Sequence, residues 1–212
     1  MNMKKIILFG IILIILVFST ACKGKEETSM ENYEKALKLV KEKNYDKAKT
    51  LLKKSIDESP QNGDLYFLLG NVYRNEEKYE DALGYYYSAI EKYPNLKEGY
   101  NNIAGIYMLQ GEYDNAMEVL EEGLGQFPQF SELIFKKAQL VFFQDKYEES
   151  IKLMESISDK DNYVDTYRIM GICYLQLGNS HKALENLKIY LNKTPDGFTG
   201  REEVIHIVKE IE

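Results

Sequence analysis

Two histidines, two cysteines and a scatter of carboxylates are the residues on which chemistry could rest. His181 and His206 lie far apart in the chain, and neither has a second ligand at the spacing a metal site requires. Cys173 sits in Met170-Gly171-Ile172-Cys173-Tyr174, an apolar run with no cation to hold a thiolate, so it reads as a small core residue. Gly123-Leu124-Gly125 lacks the strand and the lysine of a phosphate-cradling loop. Acidic residues are abundant, but no pair stands out from a charged surface as an acid and base, and no Ser/His/Asp set is suggested. The expectation is a chain with no catalytic residues, no cofactor and no metal. A net charge of −7 over 212 residues also argues against a nucleic-acid partner, because phosphate binding needs clustered lysine and arginine.

The remaining cysteine, Cys22, has a different setting. Lys4 and Lys5 precede an apolar stretch from Ile6 to Phe18, and the small residues Ser19-Thr20-Ala21 follow it. This is the three-part pattern of a secretory signal. Small residues leading directly into a cysteine resemble a bacterial lipobox, in which that cysteine is acylated and becomes the new amino terminus. Such boxes usually carry leucine where Ser19 stands. The alternative is an uncleaved anchor, since Ile6 to Cys22 gives 17 uncharged residues, the lower limit for spanning a bilayer. The expected segments are therefore a signal peptide over 1–21 and a lipidated Cys22 with a short tether over 22–28. Either version holds the body outside the cytoplasm, and the tether from Lys23 to Ser29 reaches about 25 Å at most.

The elements that would carry a site announce themselves by repetition. Tyr66, Leu69, Gly70, Tyr73, Ala82, Tyr86, Ala89 and Pro94 form a pattern that returns 34 residues later as Tyr100, Ile103, Ala104, Tyr107, Ala116, Leu120, Gly123 and Pro128. It appears 34 residues earlier as Asn32, Lys35, Ala36, Leu39, Ala48, Leu52, Ser55 and Pro60. A late copy holds Tyr167, Met170, Gly171, Tyr174, Ala183, Leu187, Tyr190 and Pro195, after a weaker one with Ile134, Ala138, Val141, Tyr147, Ser150 and Met154 and no closing proline. Tyr45, Tyr79, Tyr113 and Tyr147 keep the same step. Positions 66, 69, 70 and 73 make one stripe of a helix, and 82, 86 and 89 one stripe of the next.

This pattern resembles the tetratricopeptide repeat over residues 29–197. The resemblance implies an all-α fold, a right-handed α-solenoid of five helix pairs with a C-terminal capping helix. The units are expected at 29–62, 63–96, 97–130, 131–163 and 164–197, with the cap over 198–212. In the fourth unit the polar run Ser156 to Asn162 points to a shortened second helix. Thr199-Gly200-Arg201-Glu202 fits a helix-capping box, with Val204, Ile205 and Val208 as the apolar stripe behind it.

Members of this family line a groove with the first helix of each pair and take protein or peptide partners there. Helical spacing from the core stripe gives the flank that would face the groove. The candidates are Tyr33, Phe67, Asn71, Arg74, Asn101, Phe135, Gln139, Phe142 and Arg168. Aromatic anchors and amides of this kind suit recognition of a peptide. Leu37, Val40, Ile172 and Leu175 share the flank but suit packing between helices equally well. Asp64, Glu98, Glu132 and Asp165 recur near the helix starts, either as an acidic rim or as ordinary partners of the helix dipole. The functional expectation is a membrane-tethered adaptor that holds a protein partner during assembly of a cell-envelope complex. Small lipoproteins of this form resemble pilotins and accessory lipoproteins of outer-membrane assembly, and a regulator of a peptidoglycan-active enzyme would likewise need only a docking groove. The location expected is the bacterial cell envelope, either the inner leaflet of an outer membrane or the outer face of the cytoplasmic membrane.

Overall fold

The computed structural model describes residues 29–212, and every regular element there is helical. Cys22, the leader and the tether lie outside the described residues. The helices are α1 (29–41), α2 (Tyr45–Glu58), α3 (Gly63–Asn75), α4 (Tyr79–Lys92), α5 (Lys97–Gln110) and α6 (Tyr113–Gln126). They continue with α7 (Ser131–Phe143), α8 (Tyr147–Ser156), a 3-10 turn at Lys160–Asn162, α9 (Asp165–Gln176), α10 (Ser180–Lys193) and α11 (Arg201–Ile211). This is the all-α set of five helix pairs and one closing helix that the repeat implied. The chain divides into two compact units, one ending at Gly99 and the other running from Tyr100 to Glu212.

The turn inside each pair is the same hydrogen-bonded motif five times. A residue with positive φ follows the first helix: Lys43, Glu77, Gly111, Asp145 and Gly178. At Glu77 the backbone N–H donates to the Arg74 carbonyl, and the next N–H, of Lys78, reaches back to the Tyr73 carbonyl. The other four turns repeat both bonds, so the last carbonyls of each first helix are satisfied without help from side chains. The second helix then begins at the recurring tyrosine in α2, α4, α6 and α8.

Proline sets the other boundary. Ser59, Tyr93, Phe127 and Thr194 each follow the last residue of a second helix and precede a proline. Clash with the proline ring drives the preceding residue out of the helical region, and these four take φ between −107° and −139° with ψ between 66° and 134°. The second helix of the fourth pair has no proline behind it and stops after 10 residues, against 14 in α2, α4, α6 and α10.

In the first unit α3 packs on both α2 and α4. It therefore buries more than the single stripe that periodicity marks: Leu65, Leu68 and Val72 are buried alongside Leu69 and Gly70. Tyr66, expected in the stripe, is half-buried with its hydroxyl donating to the Pro60 carbonyl at 3.1 Å. Each leucine removed from water in this way contributes roughly 1.5–3 kcal/mol. Gly70 earns its place through clearance, since a Cβ there would lie 2.7 Å from the fully buried Tyr86 ring.

The second unit has two apolar clusters. One joins Ile134, Ala138, Met154, Ile169, Met170 and Cys173, so Cys173 is a core residue, and burial pushes its thiol pKa up to about 11. The other closes the array, with Val204 and Val208 of α11 against Tyr167, Leu187 and Tyr190. Ile205 is only half-buried, and the capping box does not form. Gly200, at φ 83°, is the residue before α11, and no side chain caps the helix. Left-handed backbone at this point turns the chain sharply into α11, and glycine tolerates it without the Cβ penalty. His181 and His206 are both exposed, with His206 3.4 Å from Glu210.

Candidate protein-binding surfaces

The expected groove residues of the first unit are partly committed to their own repeat. Tyr33 is half-buried on α1, and its hydroxyl pKa is raised by burial first and then by the Asp64 and Glu34 charges. Phe67 packs against the Tyr86 ring at 5.6 Å between centroids. Asn71, one helical turn on, accepts a 2.7 Å hydrogen bond from the Tyr86 hydroxyl. Arg74 is exposed in the last turn of α3, where its charge suits the helix C-terminus. Phe67 and Asn71 thus form one half-buried ledge held by a tyrosine of the second helix.

In the second unit the candidates separate. Asn101 and Gln139 are half-buried, and the buried Oδ1 of Asn101 has no hydrogen-bond partner among the described residues. Phe142 turns to Phe143 and Tyr147, at 5.6 and 6.1 Å, and joins the fringe of the core. Leu37, Val40, Ile172 and Leu175 are half-buried as well. Phe135 and Arg168 meet in a single cavity of about 560 Å³.

That cavity is built from three places in the sequence. Phe135 of α7 supplies one wall, 5.4 Å from the Tyr163 ring. Val164 precedes α9 and Asp165 and Arg168 lie in its first turn, while Phe198, Thr199 and Gly200 precede α11 and Glu203 lies in its first turn. The Arg168 guanidinium grips Asp165 through both carboxylate oxygens, with Nε to Oδ1 at 2.7 Å and Nη2 to Oδ2 at 3.0 Å. This pair raises the arginine pKa further and is reinforced at longer range by Glu203. Burial, then a hydrogen bond with Glu132, pushes the Tyr163 hydroxyl up to about 12. The Tyr190 hydroxyl donates to the Thr199 carbonyl at 2.9 Å, and its ring meets Phe198 edge-on at 6.3 Å. Phe198 stays 41% exposed, so this aromatic wall faces solvent.

Tyr163, Phe198, Thr199 and Gly200 lie outside the set that helical spacing selects because they belong to turns, and Glu203 because it sits in the first turn of the closing helix α11. Phe198 carried the one available signal, an aromatic inside the polar run Pro195 to Gly200. Of the periodic acids, Asp64, Glu98, Glu132 and Asp165 all fall in first turns, where they complement the helix dipole. Among the described residues no three His, Cys, Asp or Glu side chains are grouped to hold a metal, and no helix is long and apolar enough to cross a membrane.

The repeat register, the five matching turns and the helix pairs agree with family models of the tetratricopeptide repeat, which match residues 33–97, 74–140 and 107–163. The chain belongs to the tetratricopeptide repeat family. Several solved members share the fold at low identity. YrrB, described as a tetratricopeptide protein with an unusual peptide-binding site, superposes with a TM-score of 0.67 at 18% identity, covering 91% of this chain and 97% of that one. PilF of Pseudomonas aeruginosa gives 0.72 at 17% identity, over 89% and 88%. A tetratricopeptide repeat protein of Parabacteroides merdae gives 0.72 at 20%, over 87% and 75%. Among curated proteins none matches in sequence. The family fold is that of a protein–protein interaction scaffold, with surfaces rather than catalytic centres as its working parts.

Proposed function

We propose that this tetratricopeptide repeat protein is a membrane-tethered adaptor of the bacterial cell envelope, anchored through acylated Cys22, that holds a protein partner while an envelope complex assembles. The observation that supports the partner-binding part is the solvent-facing, partly aromatic cavity in which Phe135 and Arg168 meet, with the Arg168–Asp165 ion pair on its lining. The peptide-binding site named for YrrB supports the same reading by likeness of fold. The tether rests on the sequence from Lys4 to Cys22. Two acyl chains make a stable anchor, whereas one binds only marginally.

Affinity capture from solubilised membranes tests the adaptor. Wild type is expected to retain a discrete partner that is lost with Arg74→Ala or Phe135→Ala, both checked for folding by circular dichroism. Retention of the partner by both variants would rule out these surfaces. A pilotin-like role is read out by recovery of a pilus or secretion subunit, and a regulatory role by recovery of a peptidoglycan-active enzyme. Metabolic labelling with a fatty acid tests the anchor: the product is labelled, and Cys22→Ser is not. An unlabelled wild-type product that stays in the membrane would instead identify an uncleaved anchor.

A further inference from the structure

We infer that the cavity bounded by α7, the turn into α9 and the turn into α11 receives a basic side chain, lysine or arginine, of the protein partner; this rests on the adaptor reading and names the chemistry that one of its surfaces selects. Three of the lining side chains are aromatic, Phe135, Tyr163 and Phe198. Ring faces carry partial negative charge and attract a cation within about 6 Å, most strongly where water is displaced. The methylene stem of lysine or arginine also packs along such rings while its head reaches a polar end. A volume of about 560 Å³ admits a long side chain with adjoining backbone.

The charges at the mouth favour the same occupant. Asp165 and Arg168 offset one another as an ion pair, which leaves Glu203 as the unbalanced charge among the lining residues. The bidentate contact engages two guanidinium nitrogens and both Asp165 oxygens, so neither charge of the pair is left to recruit a partner. An anionic occupant would look to Arg168 and to the amino end of α11 instead. That end holds Glu202 and Glu203 in its first turn, which cancels the attraction of the helix dipole for an anion. Glu203 is exposed and lines the cavity, and its carboxylate acts on Arg168 only at longer range, which leaves it able to meet an incoming cation. The whole chain is acidic as well, at −7, which steers a basic partner towards it.

The test is an amide chemical-shift titration of the full-length protein in detergent micelles. The probes are nine-residue Gly/Ser peptides carrying a single central Arg, Lys, Leu or Glu. The Arg and Lys peptides are expected to shift the amides of Phe198, Gly200 and Glu203 saturably, at least threefold more tightly than the Leu peptide. Glu203→Gln and Phe198→Ala, both at exposed or rim positions, are each expected to weaken the Arg peptide at least threefold while leaving the rest of the spectrum in place. Equal binding of the Leu peptide, preference for the Glu peptide, or no shift at these amides would overturn the assignment. Capture of a partner by Glu203→Gln at wild-type yield, with none of these shifts, would overturn it and leave the adaptor reading standing. Failure of wild type to capture any partner would count against the adaptor reading itself.

Discussion

The Tyr86 hydroxyl donates a 2.7 Å hydrogen bond to Asn71 Oδ1 while the same ring fills the space left by the missing Cβ of Gly70. One second-helix side chain therefore fixes both the approach of α4 to α3 and the orientation of an amide on the candidate binding ledge. The Tyr86 side chain is fully buried, so it has no room to yield. Gly70→Ala is expected to cost about 1–3 kcal/mol through overpacking. Tyr86→Phe should cost about 1 kcal/mol for the lost hydrogen bond. In the next repeat Ala104 and Leu120 occupy the two matching positions. The double variant Gly70→Ala/Tyr86→Leu should accordingly be less unstable than the sum of its single changes. Urea denaturation of the four proteins measures this, and strict additivity would contradict the steric account.

The left-handed turns give a second expectation. Glu77 holds φ 59° and Gly111 φ 77° at matching places in the repeat. A side chain in this region costs about 1–2 kcal/mol, part of which glycine returns as unfolded-chain entropy. Glu77→Gly should stabilise the protein by about 0.5–1 kcal/mol and Gly111→Ala should destabilise it by a similar amount, as read from shifts in the denaturation midpoint. The same sign for both would refute the argument.

A third concerns the ion pair of Lys49 with Glu76, which joins α2 to the end of α3. Lys49 Nζ lies 2.8 Å from both Glu76 oxygens, and the two side chains are only 14% and 18% exposed. The hydrogen bond from Lys49 holds the Glu76 carboxyl below its usual 4.5. Because the folded value is depressed, the stabilisation is present above pH 4.5 and disappears as pH falls through the folded value. A double-mutant cycle with Lys49→Met and Glu76→Gln should give a coupling near 0.5–1 kcal/mol at neutral pH. The coupling should shrink at molar salt and vanish at strongly acid pH.

Alkaline unfolding supplies a fourth. Tyr163 and Tyr167 are pushed up to about 12, the first chiefly by burial and the second chiefly by its hydrogen bond with Asp161, and Cys173 is raised from 9.0 to about 11 by burial. Each folded value is raised, so the stabilisation is complete below the ordinary pKa and is lost as pH climbs through the folded one. Helical circular dichroism in moderate urea should fall progressively from pH 9 to 12. Cys173→Ser should flatten the portion between pH 9 and 11, whatever it does to stability at neutral pH. An unchanged slope would show that the thiol does not titrate with unfolding.

Much of the architecture is legible in the chain because the repeat states it four and five times over. The prolines at 60, 94, 128 and 195, and the tyrosines opening α2, α4, α6 and α8, mark boundaries through local sterics that need no distant partner. The shortened α8 was equally visible, as a polar run without a closing proline. The buried Leu65, Leu68 and Val72 were not, because a one-stripe helical pattern assumes one neighbour and α3 has two.

By itself, then, the sequence determined the all-helical pairing and most residues of each main stripe, with Tyr66 half-buried and Lys35 exposed as exceptions, since these depend on contacts within about one repeat. Tertiary structure decided the surfaces. It turned Asn71 toward Tyr86, sent Phe142 into the core fringe, and brought Phe135 and Arg168 together with Phe198 and Glu203. Phe135 and Arg168 lie 33 positions apart, and Phe198 and Glu203 lie 30 and 35 beyond Arg168. Their meeting follows from how the helices and the turn into α11 pack, and helical periodicity carries no information about which turns will face a given helix.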